Sequence, residues 1–185
     1  MDSKQYIEEM KTALDSIDIE SVSRLTEALR IRYALDQNVF VCGNGGSAAI
    51  SEHFSCDHLK GIRESKQFHV SHPKAISLAS NLPLITAIAN DKSYDQIFSY
   101  QIESLARMGD LILLISSSGN SKNIVEALNS SHKLNLQVFA IVGFNGGKVK
   151  ELIPDNTVHI KSSNYGIIED CSQSVMHMIS QTLSQ

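Results

Sequence analysis

The chain has little of what would mark several common classes of protein. It holds three cysteines, Cys42, Cys56 and Cys171, and none sits in a CxxC pair. An odd count without paired spacing speaks against a disulfide or zinc framework and fits a reduced protein. No apolar run approaches the roughly 18 residues that a membrane span needs. The first ten residues, MDSKQYIEEM, lack the basic start and apolar core of a secretory signal, so a cytoplasmic protein with no membrane partner is expected. There is no long basic block, and the net charge is −4. That argues against a nucleic-acid partner, which usually requires a basic face. Low-complexity segments and domain linkers are also missing. What is there is the balance of a globular protein, 42% hydrophobic and 19% charged over 185 residues. One domain spanning 1–185, able to bury a real core, is the expectation.

The rest of the chain is organised around Asn38 to Leu59, NVFVCGNGGSAAISEHFSCDHL. A short apolar run ends in Gly43-Asn44-Gly45-Gly46-Ser47, and no breaker follows until Gly61. This pattern predicts a buried strand, a glycine turn and a helix. Glycines admit close approach of a ligand, and a helix start offers free N–H groups with a partial positive charge. A phosphate is the natural guest. The turn is not GxxxxGK[ST] and lacks the GxGxxG register, so neither a nucleotide P-loop nor a dinucleotide fold is expected. On the same helix His53 and Asp57 are four apart and share a face.

In order, residues 3–36 predict two helices with a break at Asp15 to Asp18, serving as a cap over a sheet or as an oligomer contact. Gly61 to Pro73 is polar, with Lys66, His69 and His72, and reads as a loop near the site. Lys74 to Ala79 is a second strand. Pro83 opens a helix that ends at Asn90-Asp91, and Tyr94 to Ala106 forms another. Leu111 to Ile115 is fully apolar, as in a parallel strand buried on both faces. Ser116-Ser117-Ser118-Gly119-Asn120-Ser121 and a helix to His132 follow. Gln137 to Val142 and Thr157 to Ile160 complete five strands, with a short helix from Lys148 between them and a last helix from Ile167 to Leu183. Strands alternating with helices imply a parallel sheet with helices on both faces, and ligands collect at the carboxyl ends of such strands.

The run 116–121 offers four hydroxyls at a helix start, where a cap would need one, so phosphate binding is favoured. On the last helix Glu169, Gln173 and His177 recur every four residues. Two such stripes could converge, bringing together His53, Asp57, Glu169 and His177. The set suits an acid/base pair beside a carbonyl, or a divalent metal, and the residues alone do not separate the two. Asp91 could bind a sugar hydroxyl or simply end its helix. His58, His69, His72, His132 and His159 lack partners at helical spacing and read as ordinary.

Taken together, CGNGGSAA…EHF, ISSSGNS and a final helix with MHMI resemble the sugar isomerase (SIS) domain family, in its phosphoheptose isomerase branch. The likeness spans nearly the whole chain. It implies a three-layer α/β fold: a flavodoxin-like five-stranded parallel sheet flanked by helices, with a helical amino-terminal segment over 1–36 in oligomer contact. It further implies a homotetramer with sites at subunit interfaces. The implied activity is aldose–ketose isomerisation of a small-molecule phosphosugar, sedoheptulose 7-phosphate to D-glycero-D-manno-heptose 7-phosphate through an enediol, for the heptose of lipopolysaccharide or capsule. By the same resemblance Ser116, Ser117, Ser118 and Ser121 bind phosphate, and Asn44, Gly45, Gly46, Ser47, Asp91 and Glu169 bind the sugar. Asp57 and His177 are catalytic, and Zn2+ is held by His53, Asp57, Glu169 and His177. Asp57 stands where glutamate is common and Glu169 where an amide is common. Lys60 stands near an arginine position of some relatives and is expected to face the phosphate. Two rival readings are a non-catalytic SIS protein, binding a replication initiator or sensing sugar phosphates, and an isomerase of another phosphosugar.

Overall fold

The computed structural model describes residues 1–64 and 72–185. Lys66 and His69, expected in a loop near the site, lie outside the described residues. Helices α1 (Ser3–Asp15) and α2 (Ile19–Ala34) come first, and β1 (Asn38–Gly43) leads into α3 (Gly46–Cys56). A π-helical turn, Asp57–Ile62, continues α3. Then come β2 (Lys74–Ser77), α4 (Leu82–Asp91), α5 (Ser99–Leu105), β3 (Leu111–Ser116) and α6 (Lys122–Lys133). The chain closes with β4 (Gln137–Val142), α7 (Gly147–Leu152), β5 (Thr157–His159) and α8 (Tyr165–Ser184).

All five strands pair in parallel, in the order β2-β1-β3-β4-β5. That is the expected flavodoxin-like order. Its consequence is a switch point between β1 and β3, where successive connections leave in opposite directions and a crevice opens at the carboxyl ends. The glycine turn after β1 and the serine turn after β3 flank that crevice.

Side chains alternate across the sheet as the strand period of two requires. Val39, Val41, Leu111, Leu113 and Ile141 face α2, α3 and α8, whereas Phe40, Cys42, Ile112, Leu114 and Val138 face the helices of the other side. Every residue of β3 is buried, as its unbroken apolar run predicts. Among the described residues no helix is long and apolar enough to cross a membrane.

Local chemistry sets the helix ends. Asp2 and Gln5 form a reciprocal capping box on α1. Asp18, in the expected break, accepts from the N–H groups of Glu20 and Ser21 and starts α2. Leu25, Leu29 and Tyr33 of α2 are fully buried, so α2 is an integral layer of the fold. Several expected boundaries change. Residues 94–106 do not form one helix: a 3₁₀ turn at Tyr94–Gln96 precedes α5. At the break the Gln101 amide donates to the carbonyls of Ile97 and Leu78 at 2.7 and 3.0 Å, and Ile97 and Phe98 both enter the core. The second strand ends at Ser77 rather than Ala79, where the chain turns, and the last strand ends at His159 rather than Ile160. The helix after the glycine turn widens from α to π at Asp57.

Candidate active site

At the start of α6, the serine turn and the glycine turn enclose a pocket of about 110 Å³. Ser116, Ser117, Ser118 and Ser121 line one side, and Asn44, Ser47, Tyr165 and Glu169 the other. The Ser116 and Ser118 hydroxyls accept from the N–H groups of Gly119 and Asn120, both at 3.2 Å, which shapes the turn and leaves each O–H free to donate. Among the described residues the hydroxyls of Ser47, Ser117 and Ser121 make no hydrogen bond. Ser121 is the N-cap of α6 but makes no side-chain cap bond. Unengaged hydroxyls beside uncapped N–H groups have the donors that an oxyanion needs.

The glycine turn, whose residues alone also suggested a phosphate, differs from the serine turn in what already occupies it. Gly45 is the N-cap of α3, which has no side-chain cap bond. The Glu169 carboxylate, however, packs onto Gly46, so closely that a Cβ there would fall 2.5 Å from its carbon and both oxygens. One anion thus already sits near this helix start. Asn44 is also partly committed. Its Oδ1 accepts from Tyr94 and Asn123 at 3.0 and 2.8 Å, and its Nδ2 donates to Asn123 at 2.9 Å. Asn44 therefore fixes the crevice and keeps one N–H for a ligand.

Along α3 from Gly46, His53 lies seven residues on, about 10 Å at 1.5 Å per residue. There the two expected stripes meet. His53 Nε2 is 3.3 Å from Asp57 Oδ1, and His177 Nε2 is 3.7 Å from Asp57 Oδ2. The imidazoles meet edge to face at 5.1 Å between centroids. His177 Nε2 is also 3.0 Å from the Gln173 amide, one turn earlier on α8. Asp57 and His177 border a pocket of about 450 Å³ together with Ile62, Ser180 and Gln181. One ligand atom each from His53, Asp57 and His177 lies within 4.8 Å of the others. Two imidazoles and a carboxylate at that spacing suit zinc with a position left open.

Glu169, expected in both the sugar site and the metal set, is brought to the first and not to the second. It precedes His177 by eight residues, about 12 Å along α8. The side chain that touches His177 is Gln173. Asp91 is the exposed last residue of α4, where it accepts from Asn90 at 2.8 Å, and it lines neither pocket. Lys60 is exposed on the π turn and does not line the serine pocket.

Sequence reasoning passed over His58. It is fully buried, its Nδ1 hydrogen-bonds the Tyr33 hydroxyl of α2, and its ring lies 3.7 Å from that of Phe54. Burial pushes its pKa down to about 3. The unfolded chain, with a pKa near 6.5, therefore binds one more proton between those values. Stability is fully present above about pH 6.5 and falls as the pH drops through this window, by up to about 1.4 kcal/mol per unit. Melting temperatures recorded without metal from pH 7.5 to 4.5 are expected to decline more steeply for the wild type than for His58→Phe. Equal slopes would show that acid loss arises elsewhere. Tyr94, Asn123 and Tyr165 were also missed. Their only sequence signal is position, beside turns that close onto the crevice.

A family model for the SIS domain matches residues 5–143. The chain is 38% identical to a probable phosphoheptose isomerase of Thermoplasma acidophilum over 97% of its own length and 96% of that protein's. Its fold matches that of the phosphoheptose isomerase GmhA from Neisseria gonorrhoeae with a TM-score of 0.86 at 28% identity, covering 97% of this chain and 93% of that one. A phosphoheptose isomerase from Francisella tularensis matches with a TM-score of 0.85 at 25% identity, covering 97% and 92%. With the strand order, the serine turn and the convergent histidines already in place, these likenesses are decisive: the chain belongs to the SIS-domain family and, within it, groups with the phosphoheptose isomerases.

Proposed function

We propose that this chain isomerises sedoheptulose 7-phosphate to D-glycero-D-manno-heptose 7-phosphate. One observation carries the reading: the serine turn and the start of α3 line one pocket, and about 10 Å along α3 from Gly46 stands an imidazole–carboxylate cluster. The phosphate sits against Ser116, Ser117, Ser118 and Ser121 at the start of α6. The sugar chain runs past Asn44, Ser47 and Glu169, and its carbonyl end reaches the cluster. Asp91 would meet a sugar hydroxyl only through rearrangement or from a neighbouring subunit.

Isomerisation moves one proton between adjacent carbons. A base takes the C–H proton next to the carbonyl, the carbonyl oxygen gains a proton, and a cis-enediol forms. Reprotonation at the neighbouring carbon and loss of the hydroxyl proton complete the exchange, so no atom is gained or lost. His177 and Asp57 are the assigned pair, and their roles exchange with the direction of reaction. A Zn2+ ion held by His53, Asp57 and His177 would polarise the carbonyl oxygen.

A homotetramer is part of this reading. Its support is α4, an apolar helix with one buried residue, Ile88, and a Leu82 that is 66% exposed. The heptose would enter lipopolysaccharide or capsule, and the site of action is the cytoplasm.

NMR of sedoheptulose 7-phosphate mixed with the purified chain tests the activity, and a panel of phosphorylated ketoses tests the substrate. New heptose signals are expected. Binding without conversion would instead mark a sensor, and conversion of another ketose alone would replace the substrate. A hydrogen bond to a charged group contributes about 1.5–3 kcal/mol. Ser118→Ala combined with Ser121→Ala is therefore expected to raise KM more than a hundredfold with a smaller effect on kcat. An unchanged KM in steady-state assays would remove these serines from the phosphate site.

A further inference from the structure

We infer that Tyr33 and His58 form a positioning pair that aims Asp57 at the two histidines. The inference rests on the site proposed above, and it concerns residues that touch neither substrate nor metal.

Two side-by-side i, i+4 pairs define the end of α3. His53 and Asp57 form the outer pair, with 26% of the Asp57 side chain exposed. Phe54 and His58 form the inner pair, with no exposure at all. The two pairs are one residue apart, so the rotation of the inner pair sets the direction of the outer one. The inner pair is anchored from outside its helix: the Tyr33 hydroxyl, itself fully buried on α2, bonds His58 Nδ1, and the two rings meet edge to face at 5.7 Å. The anchor falls where it has most leverage. The backbone leaves α geometry for a π turn at Asp57, and a π turn carries an extra residue that a regular helix would expel. Slippage back to α geometry would rotate Asp57 away from His177.

Packing alone would not select this residue. Among the described residues the rings against His58 are those of Tyr33 and Phe54, and a phenylalanine would keep that bulk. Histidine instead leaves its Nε2 buried without a partner among the described residues. Such an atom costs about 1–3 kcal/mol. What the imidazole offers in return is the bond through Nδ1. Among the described residues two buried hydroxyls, Ser55 on α3 and Ser180 on α8, are also unpartnered, so this corner of the fold is held at some cost in stability.

The test compares wild type with Tyr33→Phe, His58→Phe and the double variant, each a change that keeps ring bulk. Three readouts are taken: kcat and KM for sedoheptulose 7-phosphate, Co2+ affinity from the visible absorption of the bound ion, and the folded fraction at the assay temperature. Loss of a group that orients a ligand typically costs about 10–100-fold in metal affinity or activity. Each single variant is expected to lose that much in kcat and in Co2+ affinity, with KM within about twofold of wild type and the chain folded. The double variant should lose no more than the worse single, because both remove one bond. Wild-type kcat and Co2+ affinity in either single variant would overturn the inference. So would losses that multiply in the double, or losses that only track unfolding. A wild type that binds Co2+ but converts no sugar overturns the proposed function, and the Co2+ readout then still decides the pair. A wild type that does neither overturns both.

Discussion

His177→Ala is expected to lower kcat by about 10²–10⁴-fold, the usual contribution of a general acid or base. The size follows from its place. Its ring lies 3.7 Å from Asp57 and 3.0 Å from Gln173, and it borders the pocket assigned to the carbonyl end. Among the described histidines only His53 stands beside it, with its ring 5.1 Å away, and His53 does not line that pocket. The fold should survive, because the side chain is 45% exposed and the neighbouring Val175, Met176 and Ile179 provide the buried face of α8. Steady-state kinetics beside circular dichroism separates the two effects. If turnover stays within a few-fold of wild type, the acid/base assignment is lost, whatever happens to metal binding.

Gly119→Ala should be the most damaging single methyl in the molecule. Gly119 holds φ +64°, and a Cβ there would lie 1.9 Å from the Gly146 carbonyl oxygen. The obstacle is backbone, which no rotamer change can clear. The left-handed conformation alone costs an L-residue about 1–2 kcal/mol. Displacing the 143–147 turn adds to this, because the Gly119 carbonyl accepts from Val149 and the Ser117 carbonyl from Gly143. At about 2–4 °C per kcal/mol for a chain of this size, a fall in Tm of at least about 5 °C is expected. Since the same turn presents the serines, KM should rise well beyond tenfold. A variant that melts lower but keeps its KM would show that the turn's shape does not govern phosphate binding.

Much of this was legible in the sequence, for identifiable reasons. The unbroken apolar run of β3 and the alternation of strands with helices fixed the layers, and Asp18, Pro83 and Gly119 marked real ends and turns. The pairing of His53 with Asp57 and the Glu169–Gln173–His177 stripe followed from spacing, because i and i+4 are neighbours on any helix, and the fold then brings the two stripes together at Asp57. What stayed hidden depended on contacts distant in sequence. Tyr33 and His58 are 25 residues apart, and Asn44 and Asn123 are 79 apart. Nothing in periodicity announces such bonds. The fate of Glu169 was hidden for a different reason. Its stripe on α8 was correctly seen, but a stripe eight residues long has two ends, and only the fold says which pocket each end meets.

That stripe has a consequence for which sugars fit. In the proposed site α8 would hold Glu169 toward the phosphate and His177 at the reacting end, while α3 holds Gly46 and His53 in the same sense. Two stiff rods, each about 10–12 Å between its marks, act together as a calliper. Neither can shorten without losing a helical turn. A five-carbon ketose phosphate would seat its phosphate and leave its carbonyl short of the imidazole, so the length of the carbon chain is gauged by the backbone itself, with no side chain needed to reject the shorter sugar.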